Sequence, residues 1–334
     1  MADRLFYEYA ITPDVFHGNF VGADIRLEII LSELLKGICD NGMIANLNKD
    51  SWLKAIINER LPSIMSPGFR DTLRRLLNKL EDRHRLVRHP KSTYGNPSTD
   101  IEWFKLALEA HQHIKFDGII ASSPILAACG ESCNEFLDIM NVLDSSVWTG
   151  RRRTLTLNAC EPYYRPVLDP ILRHAKSLII VDPYFSPHEK KFRNFLNICI
   201  EQMGKRGASK LPGRIQIHTG DPSADRNHPE SVNERLKAWE KCIKKNPFPT
   251  AIPHKITIFI RKKKDDRNGR RFHDRFILTD QCCIDIPMGT DTYYEQTPNN
   301  TTWALLDYED MLEKSKEIDP AMNIYDTIGK RLIS

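Results

Sequence analysis

Apolar positions in the first 150 residues recur at helical rather than alternating spacing. Between Asp24 and Ile38 they fall at Ile25, Ile29, Ile30, Leu34 and Ile38, and Asn41-Gly42 supplies a helix stop. The stretch Ser51–Ile57 after Asp50 reads as a second helix, and Arg70–Leu80 carries Leu73, Leu76, Leu77 and Leu80 on one stripe. Asp100 starts a further helix through Trp103, Leu106, Leu108 and Ala110. Residues 89–98 are dense in turn formers and read as an exposed loop. Phe116–Ala121 has the pattern of a short strand, and Glu135–Val142 that of a helix. The expectation is a mainly helical region over 1–150, with caps at Asp50 and Asp100.

From residue 151 the rhythm changes. Leu155-Thr156-Leu157 alternates like a strand, Pro166–Ala175 reads as a helix, and Leu178–Val181 is a fully apolar strand. Lys190–Met203 is an amphipathic helix, Arg214–His218 a strand, Val232–Lys245 a helix and Lys255–Ile260 an alternating strand. Phe276–Leu278 and Cys283–Ile286 form a hairpin around Thr279-Asp280-Gln281. Strands alternating with helices predict one mixed α/β sheet over 151–334. The fold class expected is therefore α/β, a helical region followed by a mixed-sheet domain.

Composition narrows the class without naming a function. The chain has 334 residues, 41% hydrophobic and 28% charged, which is globular rather than disordered. No apolar run reaches the ~18–20 residues of a membrane span. Met1-Ala2-Asp3-Arg4 has no basic region followed by an apolar stretch, so a secretory signal is not expected. The eight cysteines form no C-x-x-C pair. They are expected as reduced thiols in a cytoplasmic protein, without a structural zinc site. No phosphate-binding glycine loop supports ATP or a dinucleotide, and no histidine–carboxylate cluster has metal-ligand spacing, so no cofactor and no metal are expected.

Net charge is +4, but the cations are clumped. One clump is Arg83-His84-Arg85 with Arg88, His89 and Lys91; a second is Arg151-Arg152-Arg153. A third is Arg261-Lys262-Lys263-Lys264 with Arg267, Arg270 and Arg271. Clumped cations attract polyanions, and solvated loop charge is the alternative. Nucleic acid is the expected partner, bound through its phosphates, with Lys262, Lys263, Lys264, Arg270 and Arg271 in the footprint.

The most informative stretch is Arg270–Asp280. His273 is followed two residues later by Arg275, and Asp280 lies seven residues after His273 across an apolar strand. Residues two apart on a strand share a face, so both side chains can reach one phosphate. A neutral imidazole can attack phosphorus while a guanidinium holds charge on the oxygens. Asp280 would orient a histidine or close the turn. The competing reading is a structural network in which Arg275 pairs with an aspartate. Asp182 and His218, each at the carboxyl end of a strand, would join the site or simply finish their strands.

His273-Asp274-Arg275 with Asp280 resembles the H-x-K-x4-D motif of the phospholipase D superfamily, with arginine in place of lysine. The resemblance covers roughly residues 155–310. Asp182-Pro183-Tyr184-Phe185 and Gly289-Thr290-Asp291 add a likeness to the phospholipase-D-like domain at the C-terminus of microtubule-interacting and trafficking proteins, a binding module, and to prokaryotic genome-defence relatives. The resemblance implies metal-independent phosphodiester chemistry on DNA, with His273 as nucleophile. Such chemistry uses two histidines, and one motif per chain implies a homodimer. A non-catalytic module binding a protein, peptide or nucleic acid is the alternative.

Overall fold

A computed structural model describes residues 4–17, 25–64, 66–89, 95–130, 133–205, 213–225, 227–245, 255–262, 272–292, 299–322 and 324–333. The chain divides into two compact units, one of residues 6–152 and one of residues 153–334 with the first five.

The first unit is built on a sheet, which its helical periodicity does not announce. Strands β1 (Tyr7–Ile11), β2 (Gly42–Asn46), β3 (Leu86–Arg88), β4 (Gly118–Ala121) and β5 (Phe136–Asp138) are all parallel, in the order β3-β2-β1-β4-β5. The helices Ile25–Asn41, Pro67–Asp82 and Asp100–His113 bury Leu31, Leu34, Leu73, Leu77 and Phe104 in the same core as Tyr9, Ile44 and Ile120. Helical residues outnumber strand residues, but the expected mainly helical region is α/β. Of these strands only β4 coincides with a predicted one. Glu135–Val142, expected as a helix, is β5 and a 3-10 turn over Ile139–Asp144.

Two expected caps differ. Asp50 makes no capping bond and instead accepts from Arg88 Nε at 2.7 Å. Thr99, not Asp100, caps its helix: Glu102 N–H donates to Thr99 Oγ1, and Thr99 N–H to the Glu102 carboxylate. That reciprocal box leaves the Asp100 carboxylate free for other contacts.

The second unit holds an eight-stranded mixed sheet. Its strands are β6 (Thr154–Asn158), β7 (Ser177–Val181), β8 (Arg214–Gly220), β9 (Lys255–Lys262), β10 (Phe276–Thr279), β11 (Cys283–Asp285), β12 (Asn300–Leu305) and β13 (Asp326–Ile333). Their order is β13-β9-β8-β7-β10-β11-β12-β6. The three strands β7, β8 and β9 are parallel; β10 runs antiparallel to β7, pairing Phe276 with Val181 and Thr279 with Leu178. The predicted strands 178–181, 214–218, 255–260 and 276–278 thus share one sheet. Helix Glu161–Leu172 starts earlier than expected and contains Pro166 and Pro170. Strands β12 and β13 and helix Tyr308–Ile318 were not predicted.

Candidate functional site

The antiparallel pairing of β10 with β7 brings the start of β10 to the carboxyl end of β7, where α/β sheets place ligands. Asp182 follows β7 directly and is 1% exposed. Its Oδ1 accepts from Tyr184 N–H at 2.9 Å, closing the turn that Pro183 begins. Its Oδ2 faces Thr290 N and Oγ1 at 3.4 and 3.3 Å. Arg275 Nε lies 3.6 Å from Oδ1.

Burial pushes the Asp182 carboxyl above its ordinary value, against the Tyr184 N–H and the Arg275 guanidinium, which favour the carboxylate. Arg275 is fixed on two further sides. Its Nη1 donates to Pro287 O at 2.7 Å, and its guanidinium sits 4.9 Å from the centre of the exposed Tyr184 ring. Its Nε is buried without a hydrogen-bond partner, and among the described residues nothing bonds Nη2. Gly289 closes the cluster at φ +89°, and a Cβ there would stand 3.2 Å from Asp182 Oδ2 and 3.4 Å from Arg275 Cδ. The positive φ favours glycine, and a Cβ would press on Asp182. Beyond it, Asp291 pairs with Lys191 at 3.0 Å, and Tyr164 donates to the Asp291 carbonyl.

The predicted site residues separate. Asp182 and Arg275 meet, as the structural alternative required. The β10–β11 ladder extends to Arg275, whose carbonyl accepts from Ile286 N–H, whereas exposed His273 precedes the strand rather than lying on it. Asp280 is not brought together with them. Its Oδ1 accepts from Lys176 N–H at 2.8 Å, at the start of β7 and the opposite end of the sheet. His218 lies in the interior rather than on the rim. It stacks on Phe259, Arg261 Nε donates to its Nδ1, and its Nε2 bonds Gln216. Burial, helped by Arg261, pushes its pKa well below the usual histidine range, so the ring is neutral. Tyr184, Thr290 and Lys191 were not singled out, although Tyr184 and Thr290 belong to the quoted strand-end and turn segments.

Among the described residues, most cations of the basic clumps are engaged by the fold. Arg83 and Arg85 are buried and donate to the Cys39 carbonyl at the end of helix Ile25–Asn41. His89 is buried against Glu8 at 2.8 Å. Arg151 bonds Asn41 and covers Trp148, and Arg153 pairs with Asp307. Arg261 is buried and donates to Ile318 O at 2.7 Å. Lys262 is exposed; Lys263, Lys264, Arg270 and Arg271, with Lys91 and Arg267, lie outside the described residues.

Among the described residues no helix is long and apolar enough to cross a membrane. No protein-family model and no curated protein matches the chain. Among solved structures, NucT from Helicobacter pylori is similar to 52% of this chain, and 98% of that chain is covered. The identity is 11% and the TM-score 0.29, and a likeness at that score carries no argument about this chain.

Proposed function

We propose that the C-terminal unit is a phosphodiesterase of phospholipase D type, a metal-independent nuclease that acts on DNA as a homodimer. The observation that supports this is Arg275, anchored by Asp182 and Pro287 on one side with its Nη2 unengaged among the described residues, while His273 stands exposed two residues upstream. A fixed guanidinium is a preorganised clamp for a phosphate. A neutral His273 imidazole attacks phosphorus, a P–N bond forms, and the P–O bond to the leaving group breaks. The leaving oxygen takes its proton from the histidine of a second copy, and water then releases the phosphohistidine. A setting in prokaryotic defence or mobile elements follows from the sequence resemblance alone.

A second reading, binding of a partner protein or nucleic acid without cleavage, is favoured by the charge of Arg275 already being answered by Asp182. The test is incubation of labelled single- and double-stranded DNA and RNA with EDTA, using the wild type and His273→Ala. Cleavage that disappears in the variant supports the enzyme. Cleavage that persists in His273→Ala, or that EDTA abolishes, overturns it. Retained binding without cleavage by the wild type selects the second reading.

A further inference from the structure

Phosphate binding at Arg275 leaves one neighbour without a task. Tyr184, in the turn after β7, is 57% exposed, although its backbone is firmly held. Its N–H donates to Asp182 Oδ1 at 2.9 Å. Just before it, the Pro183 carbonyl accepts from Gly220 N–H at 2.9 Å; just after it, the Phe185 carbonyl accepts from Thr219 Oγ1 at 2.9 Å. Phe185 itself is buried and stacks on Trp239. The turn is thus fastened on both sides of Tyr184, and the Tyr184 ring is the part left outside.

The ring is placed as well as fastened. The Arg275 guanidinium lies 4.9 Å from its centre, and among the described residues Tyr184 meets no other ring or cation. That contact restrains the orientation of the ring. Arg275 also donates to the Pro287 carbonyl and lies beside Gly289, and Met288 between those two residues is 66% exposed. The guanidinium therefore touches two segments, each of which carries an exposed apolar side chain. Single exposed apolar residues are ordinary on a protein surface. An aromatic ring fixed against a guanidinium that can clamp a phosphate is a narrower arrangement.

We infer that Tyr184 is a stacking platform for an unpaired nucleobase, so that the site takes single-stranded nucleic acid in preference to duplex. The inference rests on Arg275 as the phosphate clamp proposed above, and not on cleavage. A nucleotide joins its phosphate to its base through one sugar, so a group that holds the phosphate brings the base to the neighbouring ring. More than half of Tyr184 is exposed, which leaves the ring surface to offer. Every base has a π-face, so the stacking tolerates any sequence. In a duplex those faces are covered by neighbouring base pairs, and only an unpaired or extruded base reaches the ring.

The test is filter binding by the full chain carrying His273→Ala, which cannot turn over its probes by the proposed route, at one fixed salt concentration. The probes are radiolabelled oligothymidylate, an abasic oligomer of the same length and a blunt duplex of that length. Oligothymidylate should bind on the order of ten-fold more tightly than the abasic oligomer, and more tightly than the duplex. Adding Tyr184→Ala should remove the advantage over the abasic oligomer and leave abasic binding unchanged. Tyr184→Phe should keep it, because the ring suffices. Equal binding of oligothymidylate and the abasic oligomer by the parent protein overturns the inference before any Tyr184 variant is made. An equal loss for both probes in Tyr184→Ala overturns it too, and makes Tyr184 a support for Arg275. Duplex bound as tightly as oligothymidylate, or no binding of any probe, also overturns it. Failure of the nuclease reading has a different signature: the wild type does not cleave, while the Tyr184-dependent preference remains.

Discussion

Both units place a buried aspartate just past a central parallel strand, and the two are answered differently. Asp182 in the C-terminal unit receives Tyr184 N–H on one oxygen, Thr290 on the other, and a guanidinium alongside. Asp14 in the N-terminal unit receives Ser122 N–H on one oxygen and, among the described residues, nothing on the other. The same topological position thus yields two different surroundings for a buried carboxylate. Where the protein supplies its own cation, the outward group is Arg275, suited to an anion. Where it supplies none, one carboxylate oxygen of Asp14 stays without a donor among the described residues. The difference lies in local sequence: a distant loop, Gly289-Thr290, folds over Asp182, while the donor given to Asp14 among the described residues is the Ser122 N–H just past β4.

The largest expected effect separates chemistry from packing at the second edge. His273→Ala should lower cleavage on the order of 10³-fold or more, the scale of a lost nucleophile, and leave the melting temperature unchanged. His273 is exposed, so truncating it removes little packing. Arg275→Lys should keep part of the activity and Arg275→Ala almost none, because only a cation can clamp phosphate. Should both Arg275 variants alter melting temperature and not turnover, Arg275 is a structural partner of Asp182 and the contrast between the two edges loses its functional half.

Next in size is the support beneath Arg275. Asp182→Ala leaves Tyr184 N–H and the buried Thr290 without their acceptor and should cost roughly 2–3 kcal/mol in chemical denaturation. Gly289→Ala, forced to φ +89° against Asp182, should cost roughly 1–2 kcal/mol. Asp182→Asn keeps an acceptor for Tyr184 and should be milder, with a telling pH dependence. The folded carboxyl titrates above its ordinary 3.8, so between those values the folded state holds the extra proton. Its contribution is then full below about pH 3.9 and is lost as pH rises. The asparagine variant lacks that loss and should gain on the wild type between pH 3.5 and neutrality.

His218 tests the interior of the same sheet with the opposite sign. Its folded pKa is depressed, so on acidification the unfolded chain protonates first, near 6.5. The contribution of neutral His218 is complete above that value and is lost progressively as pH falls below it. Thermal stability should therefore decline from about pH 6.5 downward, and His218→Gln should flatten the decline. An unchanged slope would show that burial does not hold the ring neutral.

How much of this was legible in the sequence differs between the units for physical reasons. Strands β7 to β10 announce themselves because Leu178–Val181 and Ile256, Ile258 and Ile260 are apolar and, Leu178 apart, β-branched. Strand β1, Tyr7–Ile11, hides because Glu8 interrupts its apolar run, and only the fold reveals that His89 answers Glu8 inside the core. Strand β13 hides for another reason: it is a largely exposed edge, so Asp326–Ile333 needs no apolar face. At the site, the Asp182 turn and Gly289-Thr290 were readable as punctuation, but not their contact, which joins segments 108 residues apart. The separation of Asp280 from Arg275 was readable. Five residues of extended chain span roughly 17 Å, beyond the reach of one phosphate.

The smallest effect concerns the basic clumps and sharpens the comparison between units. Arg85 sits in the N-terminal core, donating to the Cys39 carbonyl with its guanidinium over Phe6, whereas Lys262 ends β9 exposed to solvent. A buried guanidinium that closes a helix end contributes to folding and offers nothing to a polyanion. An exposed lysine that touches a phosphate releases about one counterion, roughly 0.9 in the log–log salt slope on duplex DNA. Lys262→Ala should therefore leave melting unchanged and lower the salt slope of DNA binding by about that amount. Arg85→Met should leave the slope unchanged and lower the melting temperature, because the last carbonyls of helix Ile25–Asn41 lose one of their two arginine donors. If Arg85→Met lowers the slope instead, the N-terminal clump reaches nucleic acid despite its burial. If Lys262→Ala leaves the slope unchanged, this lysine is outside the footprint, and the electrostatic contact belongs to cations elsewhere on the chain.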